Sequence, residues 1–205
     1  MLLPKIYPIT DTRIANLSHA GQVKRLIDGG AMFIQLREKH ASPKGFYEQA
    51  NEALEIAREN NVKIIINDRV DIALALKADG VHLGQDDLPP QQARKILGEK
   101  AIIGFSTHNL KQAVEATKLP IDYLAIGPVF STKTKENSDK IVGIKGVKKV
   151  REAVGDFPFV AIGGITLENF VEVLNAGANS VAIIGDLLST PDKIAEKMKE
   201  FFRIM

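Results

Sequence analysis

The stretch IQLREK, residues 34–39, begins as an apolar strand and ends abruptly in charged side chains. The same change recurs downstream, where Ile64–Ile66 runs into Asn67-Asp68, Val81–Leu83 into Gly84-Gln85-Asp86-Asp87, and Val160–Ile162 into Gly163-Gly164. The carboxyl ends of parallel strands meet at one rim of the sheet or barrel, so polar residues located there line a shared pocket. The pattern therefore predicts an α/β protein with a ligand site at the carboxyl ends of its strands.

Short apolar runs alternate with segments of helical period along the chain. The predicted strands are Lys5–Thr10, Ala31–Leu36, Lys63–Asn67, Gly80–Leu83, Ala101–Phe105, Tyr123–Ile126, Phe159–Ile162 and Ser180–Ile184. The predicted helices are Leu17–Asp28, Pro43–Glu59, Val70–Lys77, Pro89–Leu97, Leu110–Thr117, Gly146–Val154, Leu167–Ala176 and Pro191–Phe202. Continuous apolar strands are typical of a parallel sheet covered by helices. Eight such pairs predict a single (β/α)8 TIM barrel, and an open doubly wound sheet is the competing interpretation.

Length and composition predict a soluble protein with one domain over residues 1–205. The net charge of +2 gives no support for nucleic acid or a membrane surface as a partner. No apolar run approaches the ~20 residues that span a bilayer, and the N-terminus lacks the basic start and apolar core of a signal peptide. The chain has no Cys, which excludes a disulfide scaffold, a thiolate nucleophile and a Cys-ligated zinc site. We therefore expect a cytoplasmic protein.

Cationic side chains follow the second predicted strand. Gln35, Arg37 and Lys39 alternate along the chain, so their side chains point to the same side. Arg holds phosphate oxygens in a two-pronged fork, and Lys acts as a mobile point charge. The long polar segment from Gly127 to Val142 is typical of a lid or binding loop, and its Lys135 adds a further cation. This pattern favours an anionic ligand, with a solvated charged edge as the alternative.

Two acidic side chains follow neighbouring strands. Asp68 and Asp87 come after strands whose axes lie about 5 Å apart. Carboxylates this close need a compensating cation or a shared proton. Oxygen ligands point to Mg²⁺, which takes one or two carboxylates and completes its shell with water and phosphate. Asp86 is an alternative to Asp87, and either residue is also a candidate helix cap before Leu88-Pro89.

The remaining candidate residues are weaker signals. Gly163-Gly164 and Ile184-Gly185 follow the last two strands, where barrels often bind phosphate through backbone N–H groups. Ser106 is a candidate hydrogen-bond donor to phosphate after the fifth strand, and His82 is expected to pack inside the barrel. No GxSxG, GxGxxG or Walker A pattern is present, which argues against hydrolase, nicotinamide and ATP chemistry.

Taken together, the motifs resemble those of the thiamine-phosphate synthase family, also called thiamine-phosphate pyrophosphorylase. The resemblance covers about Tyr7 to Ile184 and is carried by QLREK (Gln35–Lys39), IINDRVDIAL (Ile65–Leu74), ADGVHLGQDD (Ala78–Asp87), GFSTH (Gly104–His108), GPVFSTKTK (Gly127–Lys135) and AIGGI (Ala161–Ile165). It implies a barrel transferase that joins hydroxymethylpyrimidine diphosphate to thiazole phosphate and yields thiamine phosphate and diphosphate.

The resemblance also implies a role for each residue at a motif position. The pyrimidine diphosphate would be held by Gln35, Arg37, Lys39, Asn67, Ser106 and Lys135. Asp68 and Asp87 would hold Mg²⁺, and Arg37, Lys39 and Lys135 would be the catalytic cations. The thiazole phosphate would be received by Thr132, Thr134, Gly164, Ile184 and Gly185. Many family members carry Ser where Gly185 stands, so one hydroxyl contact to that phosphate is missing here.

Two other functions are compatible with the same barrel. A related thiazole tautomerase would isomerise the thiazole precursor by proton transfer involving His108, but such relatives tend to lose the carboxylates that this chain keeps. A non-catalytic sensor of phosphate ligands would bind without turnover, although no added domain that would transmit a signal is visible. Small-molecule substrates are the expected partners, and a homodimer is left open.

Overall fold

The computed structural model describes residues 3–132 and 140–205. Within them, eight parallel strands close into a barrel in which each strand pairs with the next and β8 pairs with β1. The strands are β1 (Ile6–Thr10), β2 (Phe33–Leu36), β3 (Lys63–Asn67), β4 (Gly80–Leu83), β5 (Ile102–Thr107), β6 (Tyr123–Ile126), β7 (Phe159–Ile162) and β8 (Ser180–Ile183). The predicted (β/α)8 barrel is confirmed, and the open sheet is not formed.

Helices alternate with the strands and cover the outside of the barrel. They are α1 (Thr12–Ala15), α2 (His19–Asp28), α3 (Pro43–Glu59), α4 (Val70–Leu76), α5 (Pro90–Leu97), α6 (Leu110–Ala116), α7 (Gly143–Val154), α8 (Phe170–Asn175), α9 (Gly185–Leu188) and α10 (Ile194–Ile204), the last preceded by a 3-10 turn (Pro191–Lys193). Ser42 caps α3 by accepting a hydrogen bond from the Gly45 N–H, with Pro43 in the first turn. None of the helices in the described ranges is long and apolar enough to cross a membrane.

Side chains alternate along each strand between two apolar layers. In β6, Leu124 and Ile126 belong to the layer between the barrel and its helices, whereas Tyr123 and Ala125 fill the barrel interior. Because both faces of each strand are buried, the strands are mostly apolar, which is the pattern that the sequence displays. Closure of the barrel brings the carboxyl ends of all eight strands to one rim.

The structure departs from the predicted elements in three places that matter for the rim. The fifth strand runs to Thr107, so Ser106 lies within β5 instead of following it. Gly185 begins the unpredicted short helix α9. A second short helix, α1, follows β1 and is capped by the side chain of Asp11. Helices of four residues carry too little periodicity to be recognised in a sequence.

Candidate active site

A cavity of about 440 Å³ opens at the carboxyl ends of the strands. Every predicted site residue that the structure describes lines it, namely Gln35, Arg37, Lys39, Asn67, Asp68, Asp87, Ser106, Thr132, Gly164, Ile184 and Gly185. Thr134 and Lys135, also predicted, lie outside the described residues. The polar residues that the sequence places at strand ends therefore line one cavity.

Lys39 and Asp68 meet directly at the mouth of the cavity. The ammonium group of Lys39 donates a hydrogen bond to Oδ2 of Asp68. Asp68 adopts a left-handed backbone with a φ of 62°, which is uncommon for a residue other than Gly. Its N–H donates to the carbonyl of His82 at 2.8 Å, and this bond fastens the end of β3 to β4. A residue held in this backbone region often marks a functional site.

Asp87 provides the second carboxylate, next to Asp68. Its Oδ2 accepts a hydrogen bond of 2.6 Å from the N–H of Gly84. Burial raises the pKa of Asp87, and the neighbouring Asp68 raises it further, while the Gly84 N–H and the charge of Lys39 lower it. Asp86 is exposed, and helix α5 begins after Pro89 without a side-chain cap. Asp86 also lines the cavity, but the pKa of Asp87 responds to Asp68, so Asp87 is the acid next to Asp68.

The two carboxylates have donor chemistry that fits Mg²⁺. Within residues 3–132 and 140–205, no group of three or more His, Cys, Asp and Glu side chains is arranged to hold a metal ion. Mg²⁺ does not require such a cage, because it commonly takes one or two carboxylates and fills its remaining positions with water and phosphate oxygens. The raised pKa of Asp87 also indicates a site where a cation would relieve repulsion between acids.

Arg37 has an anionic partner that the sequence analysis missed. Its guanidinium forms an ion pair with Oδ2 of Asp11, while Oδ1 of Asp11 accepts hydrogen bonds from the N–H groups of Arg13 and Ile14. Asp11 directly follows β1, so the strand-end rule applied to the first strand would have found it. The pairing orients the guanidinium of Arg37, which is itself a cavity-lining group.

Polar side chains of the barrel interior form a hydrogen-bonded chain below the cavity. The Gln35 amide donates to the Tyr7 hydroxyl at 2.9 Å, and the hydroxyls of Tyr7 and Tyr123 lie 2.9 Å apart. The Tyr123 hydroxyl is 3.0 Å from His82 Nδ1, and His82 Nε2 is 2.9 Å from Ser106 Oγ. His82 is buried, as expected from the sequence, whereas neither tyrosine had a predicted role.

His82 is neutral near pH 7 in this environment. Burial lowers the pKa of its imidazole to about 4, and the charge of Asp87 opposes that shift. A neutral imidazole donates through one ring nitrogen and accepts through the other. His82 therefore acts in the chain as a hydrogen-bond relay and not as a cation.

The glycines after β7 make room for the loop that follows β6. Gly163 and Gly164 have φ values of 102° and 64°, which favour glycine. A Cβ on Gly163 would lie 2.6 Å from the Cβ of Pro128, and a Cβ on Gly164 would lie 2.5 Å from the carbonyl oxygen of Ser131. The Phe130 N–H donates to the carbonyl of Gly163 at 2.9 Å. Residues 127–132 are thus packed against the predicted phosphate turn.

Comparison with known proteins identifies the family. The family model described as thiamine monophosphate synthase matches residues 6–187. The chain belongs to this family. The thiamine-phosphate synthase of Clostridium novyi is 46% identical over 189 residues, covering 92% of each chain, and that of Chloroflexus aurantiacus is 41% identical over 93% of this chain and 88% of its own length.

Solved structures of the family agree with the barrel. The thiamine phosphate pyrophosphorylase from Pyrococcus furiosus has a TM-score of 0.88 and 37% identity, covering 98% of this chain and 94% of its own. The pyrophosphorylase from Bacteroides thetaiotaomicron has a TM-score of 0.71 at 15% identity, covering 98% of this chain and 97% of its own. At that identity the second structure supports the fold alone.

Proposed function

We propose that this protein is a thiamine-phosphate synthase, a transferase whose catalytic domain spans residues 1–205. It would join hydroxymethylpyrimidine diphosphate to thiazole phosphate and release thiamine phosphate and diphosphate. The observation that carries the proposal is a cavity mouth lined by cations that pair with carboxylates. Lys39 donates a hydrogen bond to Asp68, and Arg37 forms an ion pair with Asp11. Such a mouth would hold a diphosphate together with a metal ion.

The pyrimidine diphosphate fits the side of the cavity formed by β2 to β5. Asn67 supports this placement because its side-chain Nδ2 is buried and has no hydrogen-bond partner within the described residues. An unpaired buried amide costs stability unless a ligand accepts its hydrogens. Gln35 and Ser106 line the same side, while Arg37 and Lys39 would neutralise the diphosphate oxygens. Lys135 is proposed as a third cation for the diphosphate.

Asp68 and Asp87 would hold Mg²⁺. The ion would supply positive charge to the leaving diphosphate. The carboxylates' own contribution is to be preorganised, because Asp68 accepts a hydrogen bond from Lys39 and Asp87 accepts one from the Gly84 N–H. Groups that are already oriented do not have to reorganise when the charge of the leaving group develops.

The reaction is a dissociative substitution that needs no protein nucleophile. The carbon–oxygen bond to the diphosphate breaks first, its electron pair leaves with the diphosphate, and a pyrimidine cation remains. The thiazole nitrogen then forms the new carbon–nitrogen bond with its own lone pair. The residues contribute positioning and electrostatic stabilisation, with Arg37 and Lys39 as the proposed catalytic groups. Apolar lining from Ile9, Val160 and Ile162 helps to keep water away from the cation.

The thiazole phosphate is proposed to bind at the opposite side, near β7 and β8. The groups assigned to it are Thr132, Thr134, Gly164, Ile184 and Gly185. Gly185 offers a backbone N–H at the start of α9 but no hydroxyl, so Gly164 and the threonines would carry more of the phosphate contact. The tautomerase alternative is not favoured, because the curated relatives carry the synthase name and both carboxylates are present.

The proposal is tested by supplying the two substrates together and separately. We expect diphosphate release and formation of thiamine phosphate only when both are present. Lys39→Ala should raise KM for the pyrimidine diphosphate, whereas Lys44→Ala, at an exposed position on α3, should not. Isomerisation of the thiazole without coupling would contradict the proposal. The proposed partners are these small molecules and the proposed location is the cytoplasm; a homodimer stays a prediction that light scattering can test.

A further inference from the structure

Tyr123 lies at the centre of the buried hydrogen-bonded chain and away from the cavity. Its exposed fraction is 0%, and it is not among the residues that line the cavity. It nevertheless links the two ends of the chain, because its hydroxyl lies between that of Tyr7 and Nδ1 of His82. The ends are Gln35 and Ser106, both of which line the cavity.

The hydrogen bonds of this buried series all donate in one direction, which follows from counting the donors. Gln35 Nε2 donates to the Tyr7 oxygen, and within the described residues the other bonding partner of that hydroxyl is Tyr123. Tyr7 is 1% exposed, so its hydroxyl hydrogen would be left unpaired unless it points to Tyr123. An unpaired buried donor is costly, whereas pointing it to Tyr123 satisfies it. Tyr123 must then donate in turn to Nδ1 of His82.

The direction continues through the imidazole to Ser106. With Nδ1 accepting, the ring carries its hydrogen on Nε2, which then donates to Ser106 Oγ at 2.9 Å. The hydroxyl hydrogen of Ser106 is not used in this bond. In the opposite direction Ser106 would donate to Nε2, and only its lone pairs would remain for a ligand. The direction of the chain therefore decides whether Ser106 is a donor or an acceptor to the substrate.

Gly104 makes the contact between Tyr123 and His82 feasible. The strand pairing places Gly104 between them, opposite His82 on β4 and opposite Tyr123 on β6. A Cβ there would lie 2.2 Å from Cζ of Tyr123 and 2.4 Å from Nδ1 of His82. The two rings instead stack across the missing side chain, with centroids 5.5 Å apart and planes inclined by 27°. The absence of a side chain at Gly104 on β5 thus leaves the space in which Tyr123 and His82 make contact.

We infer that Tyr123 is a positioning residue that acts through His82 on Ser106. By donating to Nδ1 it holds His82 as the Nε2–H tautomer, and the Nε2–H in turn occupies a lone pair of Ser106. The Ser106 hydroxyl hydrogen is thereby turned towards the cavity, where it donates to an anionic oxygen of the ligand. The assignment of that oxygen to the diphosphate of the pyrimidine substrate rests on the proposed function.

The tautomer is measured directly on the wild-type protein. In a protein labelled with 15N at the histidine rings, long-range 1H–15N correlation distinguishes Nε2–H from Nδ1–H, and loss of signals in His82→Gln assigns the residue. The result expected is the Nε2–H tautomer. Observation of the Nδ1–H tautomer would reverse the chain and overturn the inference, whether or not the protein couples the two substrates. Absence of coupling in the wild type would overturn the proposed function and leave the tautomer result intact.

A double-mutant cycle separates positioning from a structural role. Tyr123→Phe should lower kcat/KM for the pyrimidine diphosphate by about 5- to 10-fold, the size expected for one misdirected hydrogen bond. In a Ser106→Ala background, the same change should cost less than about twofold, because the group through which Tyr123 acts is gone. Equal losses in both backgrounds would contradict the inference. Tyr47→Phe, on an exposed part of α3, is the matched control and should leave activity unchanged.

Discussion

The ammonium group of Lys39 is hydrogen-bonded to the carboxylate of Asp68, so the proposed diphosphate site and the proposed magnesium site share a contact. The pair is partly exposed, with 44% and 20% of the two side chains accessible, and its charges are therefore screened but still coupled. A metal ion at Asp68 has to compete with this ammonium group for the same oxygen.

Replacing Lys39 should consequently have opposite effects on metal binding and catalysis. We expect Lys39→Met to bind Mg²⁺ several-fold more tightly in the absence of substrate, because a competing cation is removed. The same variant should lose at least about tenfold in kcat/KM, since the diphosphate loses a positive partner. Calorimetry with Mg²⁺ and steady-state kinetics measure the two effects, and Lys44→Met serves as the control. Unchanged metal affinity would contradict the competition.

Asp11 should orient the guanidinium of Arg37 for substrate binding without being required for folding. Asp11→Asn keeps an oxygen that can cap α1 but weakens the ion pair with Arg37, so KM for the pyrimidine diphosphate should rise while the unfolding midpoint changes little. Asp11→Ala removes the cap as well and should cost about 1 kcal/mol more in unfolding free energy. Urea denaturation and kinetics on both variants check this ordering. Equal KM values for wild type and Asp11→Asn would show that Arg37 needs no orienting partner.

Gly104→Ala should destabilise the barrel. The added Cβ would overlap Tyr123 and His82, and overpacking of this kind typically costs about 1–3 kcal/mol. Gly45→Ala is the control, because its Cβ would meet the flexible Ser42 side chain at 3.3 Å and the Ala41 Cβ at an ordinary 3.7 Å, and an alanine favours the helix. Chemical denaturation gives the free energies of unfolding. A Gly104→Ala protein as stable as the wild type would mean that the two rings do not occupy the gap.

Stability should fall in mild acid, in part through His82. The folded-state pKa is about 4 and the ordinary value is 6.5, so between these pH values the unfolded state binds a proton that the folded state does not. The stability contributed by His82 is therefore present above pH 6.5 and is lost as pH falls towards 4, by about 3 kcal/mol at most. His82→Gln should show a shallower loss over the same window, measured by denaturation at a series of pH values. Parallel curves for the two proteins would refute this assignment.

The barrel could be predicted from the sequence because the strands are buried on both faces and most of them are followed by polar residues or glycine. The same rule located most of the rim, including Gln35, Asn67 and Asp87. Ser106 was placed after β5 because Ser106 and Thr107 are polar and look like the start of a loop, whereas in the structure they complete the strand. Ser106 and Thr107 belong to the strand because they pair with Ala125 and Ile126 of β6, which local sequence does not reveal.

The interior relay could not have been derived from the sequence. Tyr7 and Tyr123 are separated by 116 residues, and their contact depends on barrel closure and strand stagger. Gly104 is informative only once its neighbours across two strands are known. The role of Asp11, by contrast, could have been predicted from the sequence, since Asp11 follows β1 as Asp68 follows β3.

The proposed central role of Asp68 and Asp87 is to hold a metal ion that, together with Arg37 and Lys39, would stabilise the departing diphosphate. Its most direct test is the rate of diphosphate release with both substrates present, measured against Mg²⁺ concentration for the wild type, Asp87→Asn and Asp86→Asn. We expect a saturable magnesium requirement in the wild type, a loss of at least about 100-fold in Asp87→Asn, and a small effect in Asp86→Asn. Release that persists in chelator and is unchanged in Asp87→Asn would contradict the account.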